Sequence, residues 1–169
     1  MGYALQAPKQ SVLASLYGLA TYQDCFSQKL PLTNTEIPAS LFIRMLQPSP
    51  VWVRVLMRIR NWVVGFFGLN TSTEMDTLSQ KTPAQLVVGD YIGFFKISHL
   101  SENEIVVTAN DNHLDASFSL YVEELSGQKT AYMTSVVQTK RRFGDVYMWV
   151  IAPFHRVIVR QSLKRLRAL

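Results

Sequence analysis

The chain has 169 residues, of which 48% are hydrophobic and 11% aromatic, and it carries a formal net charge of +5. This composition excludes a disordered chain. The length fits one domain over residues 1–169, with residues 1–19 as a peripheral N-terminal segment. The single cysteine, Cys25, excludes an internal disulfide, and its strand-like surroundings predict a buried, unreactive thiol.

The first twenty residues lack the pattern of a signal peptide. No charged region precedes their apolar part, and Pro8 and Lys9 interrupt it. We therefore predict a cytoplasmic protein.

Residues 21–30 (TYQDCFSQKL) alternate in a way typical of a strand. Tyr22, Asp24 and Phe26 fall on one face and Cys25 on the other, and Pro31 ends the stretch.

A helix is predicted next, in TNTEIPASLFIRMLQPSP, because apolar side chains recur there at helical spacing. Thr33, Asn34 or Thr35 supplies its cap, and Pro48 and Pro50 end it. The apolar positions are Leu41, Phe42, Met45 and Leu46.

A second helix, over residues 49–70, is the most ambiguous element. Arg54, Arg58 and Asn61 form a narrow polar stripe within an otherwise apolar surface. Three arginines fall within seven positions, and each costs roughly 2.5–3.5 kcal/mol at a bilayer centre, which argues against a membrane-spanning segment. An interfacial helix stays open, but we favour a core helix with one exposed edge. Its large apolar side chains include Trp52, Trp62 and Phe66.

From Asp90 onward the pattern predicts an antiparallel meander, since strand-like stretches alternate with turn signals. The strands are DYIGFFKISHL, IVVTAND, LDASFSLYVEEL and TAYMTSVVQT. Gly93, inside the first of them, predicts a bulge at which the sheet bends.

The last predicted element is a long helix that begins after Gly144 and runs almost to the terminus. Pro153 removes one of its backbone hydrogen bonds and bends or interrupts it. An apolar stripe is predicted at Phe154, Val157, Ile158, Leu163 and Leu166. The opposing basic positions are Arg156, Arg160, Lys164 and Arg167.

This order of elements predicts an α+β fold of the helix-grip kind. A curved antiparallel sheet wraps around the long C-terminal helix, and two short helices follow the first strand. The apolar volume between sheet and helix is a usual setting for a small-molecule site. The side chains predicted to line it are Trp52, Phe94, Phe118, Tyr132, Tyr147 and Met148.

Five stretches resemble a known family: YQDCFSQKLP, WVRVLMRIRN with its GFFGL end, GDYIGFFKI, DNHLDASFSL and YMWVIAPFHRVIV. That family is a bacterial domain of unknown function, found alone or appended to short-chain dehydrogenase or epimerase-like proteins. The order of elements is also similar to the wider START-like (SRPBCC, helix-grip) superfamily, which includes polyketide cyclases and lipid-transfer domains. The resemblance implies a fold and no catalytic residues, and the chain contains no GxGxxG motif.

Asp111, His113 and Asp115 alternate, so on one strand face they could bind a metal or act as acid–base groups. The alternative is a polar turn at residues 110–112 (NDN), which we prefer. We predict no metal and no cofactor. His155 is a further catalytic candidate, either facing the cavity or pairing with a carboxylate such as Asp115.

Three functions stay open. The first is a non-enzymatic domain that holds an apolar or amphipathic small molecule between the sheet and the terminal helix. The second is a cyclase-like or hydrolase-like enzyme that uses the Asp and His groups. The third is a peripheral membrane or interaction protein that uses the Arg54–Arg58 helix and the basic terminus on anionic lipid. Nucleic acid is not an expected partner, and the sequence does not define an oligomeric state.

Overall fold

The computed structural model describes residues 2–3, 6–47, 81–110, 114–140 and 142–167. Within them, one antiparallel sheet holds seven strands in the spatial order β1-β2-β7-β6-β5-β4-β3. Strands β3 to β7 form a meander, whereas β2 pairs along its length with β7. The strands are β1 Gly2–Tyr3, β2 Tyr22–Leu30, β3 Tyr91–Ile92, β4 Phe95–Leu100, β5 Glu104–Asn110, β6 Leu114–Leu125 and β7 Gln128–Thr139.

The predicted strands are confirmed except for DYIGFFKISHL, which is a hairpin of two strands, β3 and β4, rather than one strand. Two tight turns set the register of the sheet. Ser126 and Gly127 connect β6 to β7 with φ of 52° and 72°, the left-handed pair that suits a two-residue hairpin. Gly93, with φ of 61°, lies in the equally short turn between β3 and β4. The bulge predicted at Gly93 is therefore wrong. The sheet irregularity lies in β4 between Ile97 and His99.

The first helix, α1, spans Pro38–Leu46. Its apolar positions are buried as predicted: Leu41, Phe42 and Met45. The predicted caps are wrong, because Ile37 occupies the N-cap and makes no side-chain hydrogen bond. Pro38 holds the preceding residue extended and so defines the start of the helix. Asn34 instead accepts a hydrogen bond of 2.8 Å from the backbone N–H of Glu36, in a turn before the helix.

The second helix of the described chain, α2, spans Arg142–Arg165 and continues through Pro153 without interruption. Its buried positions are spaced by three, four or seven residues, so they share one side of the helix, and they are Met148, Ala152, Val159, Leu163 and the following Leu166. Phe154 and Val157 are 42% and 45% exposed, so the predicted apolar stripe is wrong at these two residues. Each residue turns about 100° around a helix, so Phe154 points away from the side on which Ala152 packs.

The main core lies between α1, α2 and one face of the sheet. It includes Phe26, Phe42, Ile97, Ile105, Leu120, Val159 and Leu163. Each large apolar side chain buried here contributes about 1.5–3 kcal/mol, and this layer holds α2 against the strands. On the opposite face, a short 3-10 helix at Val12–Ser15 packs its Leu13 against Val106 and Val136.

The α+β class, the curved antiparallel sheet and the C-terminal helix are thus confirmed. The second predicted helix, residues 49–70, lies outside the described residues. Within the described ranges, no helix is both long enough and apolar enough to cross a membrane.

Candidate functional site

Asp24 is a fully buried carboxylate on the face of the sheet that α2 covers. Its Oδ2 accepts a hydrogen bond of 2.5 Å from the hydroxyl of Tyr22, two residues earlier on β2. The same oxygen lies 3.2 Å from Nδ1 of His155 on α2. A buried charge needs such partners, because removing it from water costs several kcal/mol.

His155 lies on the sheet-facing side of α2, and 21% of its side chain stays exposed. Its ring meets the Tyr22 ring edge-on at a centroid distance of 6.0 Å and the Phe118 ring at 5.9 Å. Two rings and a carboxylate therefore fix the orientation of the imidazole. Because an ionised carboxylate only accepts hydrogen bonds, Nδ1 is the protonated nitrogen, and Nε2 of the neutral ring is an acceptor.

Burial and hydrogen bonding act in opposite directions on Asp24. Burial alone would raise its pKa, but the hydrogen bond and charge of His155, with the hydroxyls of Tyr22 and the facing Ser135, outweigh burial and lower the pKa below its ordinary value of 3.8. Burial, together with the adjacent Asp24 carboxylate, raises the pKa of Tyr22. At neutral pH, Asp24 is thus an anion and Tyr22 a protonated donor to it.

Two polar atoms beside this pair have no hydrogen-bond partner among the described residues. They are Oδ1 of Asp24 and Oγ of Ser135, and both are buried. Asp24 and Ser135 face each other across the ladder of β2 and β7, so both atoms border the same part of the sheet. Leaving a buried acceptor unpaired costs about 1–3 kcal/mol. Oδ1 of Asp24 is therefore an acceptor that can take one more donor, and the Ser135 hydroxyl is the nearest one.

A row of aromatic rings continues from His155 along the same face of the sheet. Phe118 contacts Phe95 edge-on at 5.5 Å, and Phe95 contacts Phe94 at 4.0 Å and Phe42 at 6.2 Å. Phe42 is buried, whereas Phe94, Phe95 and Phe118 are half-buried. We call Phe118, Phe95 and Phe94 the aromatic row. It is an apolar surface that begins next to a polar pair.

Two arginines of α2 border the site. The guanidinium of Arg156 lies 5.8 Å from the centroid of the Tyr22 ring, and that of Arg160 lies 5.1 Å from the Phe26 ring. Both side chains are exposed. They add positive charge beside the imidazole, which favours an acidic ligand group over a basic one.

The structure does not bring the other predicted acid–base residues to this pair. Asp111 and His113 lie outside the described residues. Asp115 has a side chain 43% exposed and forms a 2.7 Å ion pair with Lys140, so the carboxylate that meets His155 is Asp24 rather than Asp115. In the described part of the chain, no three His, Cys, Asp or Glu side chains lie close enough to hold a metal ion.

Three of the residues predicted to line a ligand site lie on the α2 side of the sheet. Phe118 and Phe94 belong to the aromatic row, and Met148 packs in a small buried cluster with Ala116 and Val137.

The remaining predicted lining residues lie elsewhere. Tyr132 is on the opposite face, where its ring lies 6.5 Å from that of Tyr121, because its neighbour Met133 points into the main core. Tyr132 therefore does not line the space next to α2. Trp52 and the side chain of Tyr147 lie outside what the structure describes.

Asp24 is missing from the predicted site residues, although a signal for it exists. Alternation in β2 places it on the apolar face between Tyr22 and Phe26, where an acidic side chain must find a partner. That partner, His155, is 131 residues away in sequence, and no local spacing reveals the contact.

A protein-family model described as a protein of unknown function, DUF2867, matches residues 16–162. The chain belongs to this family. The match confirms the predicted membership of a family of unknown function. In this DUF2867 chain the matched range contains both Asp24 and His155. No curated protein matches the chain.

Proposed function

We propose that this DUF2867 chain binds an amphipathic small molecule on the α2 side of the sheet and catalyses no reaction. The apolar part of the ligand lies on the aromatic row, and its polar group meets His155 and Asp24. The observation that carries the proposal is the Asp24–His155 pair itself. It combines a buried carboxylate that has one unpaired oxygen with a partly exposed imidazole, at the end of an apolar surface.

The polar end of the site suits an acidic or a hydroxyl head group. Arg156 and a protonated His155 attract an acid, whereas Nε2 of a neutral His155 accepts a hydrogen bond from a hydroxyl group. Probes with the same alkyl chain and different head groups separate these two cases.

A second candidate function is acid–base catalysis by His155, and the contact with Asp24 favours it. A carboxylate at Nδ1 orients an imidazole for proton transfer at Nε2. This candidate predicts hydrolysis of 4-nitrophenyl dodecanoate that His155→Gln abolishes, whereas a binding protein shows no turnover.

We also propose that the sheet and α2 form a helix-grip fold related to the START-like superfamily, because the meander and β2 pack against the C-terminal helix. We also propose a cytoplasmic setting, since the one cysteine is free and buried and requires no oxidising compartment. A bacterial origin stays a prediction. That relatives occur appended to short-chain dehydrogenase or epimerase-like proteins stays a prediction.

Isothermal titration calorimetry with dodecanoate and with dodecanol tests the binding proposal. We expect saturable binding of at least one probe, and His155→Gln should weaken it about tenfold through loss of one strong hydrogen bond. Phe118→Ala should weaken both probes, because it removes apolar contact. Leu100→Ala is a matched control, since Leu100 also packs half-buried at the edge of the core, and it should leave binding unchanged.

Two results would contradict the proposal. One is that neither probe binds and that the native mass spectrum of the purified chain shows no bound molecule. The other is binding that His155→Gln and Phe118→Ala both leave unchanged. A preference for dodecanoate would identify an acidic head group, and a preference for dodecanol would identify a hydroxyl.

A further inference from the structure

The outer side of α2, opposite the side that packs on the sheet, carries clustered apolar side chains. Trp149 is 81% exposed, and Val150, Phe154 and Val157 are 42–47% exposed. We call these four residues the outer strip. At 100° per residue they span roughly 140° of the helix, so they form one surface. Single exposed apolar residues are common, but a cluster that contains a tryptophan indicates an interaction site.

The same side of α2 is basic and lacks carboxylates. Lys164 and Arg167 are exposed along it, whereas the guanidinium groups of Arg156 and Arg160 reach back over the Tyr22 and Phe26 rings. No Asp or Glu follows Asp145 in the sequence. The partner of the outer strip must therefore be both apolar and anionic.

We propose that the outer strip docks on an anionic lipid surface. Trp149 and its apolar neighbours would lie at the boundary between head groups and acyl chains, with the basic residues at the lipid phosphates. Tryptophan and phenylalanine beside arginine and lysine are typical of helices that lie in the plane of a membrane interface. Because the other side of α2 is packed on the sheet, the helix can lie on a membrane without leaving the fold.

Charge and burial together favour lipid over other partners. Complementarity to a basic surface selects an anionic partner over a neutral protein. Nucleic acid satisfies the charge through its phosphates, but phosphate contacts leave the four apolar side chains in water. A lipid surface satisfies the charge and also removes these side chains from water.

Two rival occupants of the outer strip predict different results. One is a second copy of the chain, which would make self-association depend on Trp149. The other is the chain's own apolar stretch, residues 51–67, which lies outside the described residues. With that stretch on the strip, Trp149 would be shielded from solvent in the free protein.

Vesicle co-sedimentation of the full chain tests the proposal. We expect binding to vesicles of equal parts phosphatidylcholine and phosphatidylglycerol, no binding to pure phosphatidylcholine, and loss of binding at high salt. Trp149→Ser should weaken binding about tenfold through the lost apolar contact. Lys164→Glu and Arg167→Glu should each weaken it roughly fivefold or more.

Matched variants away from α2 provide the controls. Leu125→Ser changes an apolar residue that is 68% exposed, and Lys9→Glu with Lys96→Glu reverses two exposed charges. These variants should bind the mixed vesicles as the wild type does. Far-UV circular dichroism checks that Trp149→Ser retains its fold, as its exposure leads us to expect.

Several outcomes would overturn the proposal. They are no sedimentation, equal sedimentation with neutral vesicles, or binding that the α2 variants do not change. A dimer that Trp149→Ser dissociates would overturn it in favour of self-association. Acrylamide quenches the fluorescence of exposed tryptophans. If the fraction of tryptophan fluorescence that it quenches is the same in wild type and Trp149→Phe, Trp149 is already covered in the free protein. The outer strip and the Asp24–His155 pair lie on opposite sides of α2, so failure of either proposal leaves the other intact.

Discussion

Among the described residues, each face of the sheet buries one carboxylate, and the two carboxylates differ in how fully they are paired. Glu104, on the face opposite α2, accepts hydrogen bonds from the hydroxyls of Ser11 and Ser119 at 2.6 and 2.5 Å. It also accepts from the backbone N–H of Val12 at 2.9 Å, so both of its oxygens are satisfied. Asp24, on the α2 face, has two partners on one oxygen and none on the other among the described residues.

This difference separates a structural carboxylate from a candidate functional one. Glu104 fastens the N-terminal segment to the sheet, and its partner Ser11 also caps the 3-10 helix Val12–Ser15. Every contact of Glu104 therefore serves the fold. Asp24 contacts a partly exposed, titratable side chain, His155, and keeps an unpaired oxygen, a combination typical of binding and catalytic sites.

The largest expected loss of stability comes from replacing Glu104. Glu104→Ala leaves two buried hydroxyls and a backbone N–H without their acceptor, so we expect it to lower the free energy of unfolding by about 3 kcal/mol. Urea denaturation followed by circular dichroism measures this loss. Glu102→Ala, at an exposed position in the preceding turn, is the control and should change stability by less than about 0.5 kcal/mol. A loss no greater than that of the control would show that Glu104 does not fasten the segment.

The next effect is the pH dependence that Asp24 adds to stability. Its folded-state pKa is lower than the ordinary 3.8, so the ionised carboxylate stabilises the fold above that value, and this contribution is lost as the pH falls below it. Asp24→Asn should therefore flatten the acid side of the curve of unfolding free energy against pH. Asp115→Asn, which alters a half-exposed surface pair, should leave that slope as in the wild type. If the unfolding free energy falls equally steeply at acidic pH in wild type and in Asp24→Asn, Asp24 does not have the lowered pKa.

The smallest expected changes in the free energy of unfolding concern two fully buried serines, one on each face of the sheet. Ser119→Ala removes a hydroxyl that donates to Glu104, and we expect it to cost about 1–2 kcal/mol. Ser135→Ala removes a hydroxyl that faces Asp24 across β2 and β7 without a hydrogen bond of ordinary length, and it should change the free energy of unfolding by less than about 0.5 kcal/mol. Equal costs in urea denaturation would mean that Ser135 is as fully paired as Ser119, and the contrast between the faces would disappear.

Local patterns predict the sheet well because its determinants are local. The alternation in residues 21–30 and 114–125 and the turn signal at Ser126–Gly127 each lie within a few residues. The Asp24–His155 contact joins β2 to α2, 131 residues apart in sequence, and no local pattern contains it.

The helix α2 shows a second limit of prediction from pattern. It is apolar on two sides, inward at Leu163 and outward at Trp149. Periodicity alone therefore cannot tell which side packs on the sheet, and Phe154 and Val157 were predicted on the wrong one.

Nitrogen-15 NMR of the His155 imidazole is the most direct test of the proposed site. Spectra would be recorded at a pH about two units above the ordinary histidine pKa, with and without dodecanoate or dodecanol. We predict that Nδ1 carries the proton in the free protein and that the Nε2 signal shifts when a probe binds. A proton on Nε2 with none on Nδ1, or an Nε2 signal that neither probe moves, would contradict the account.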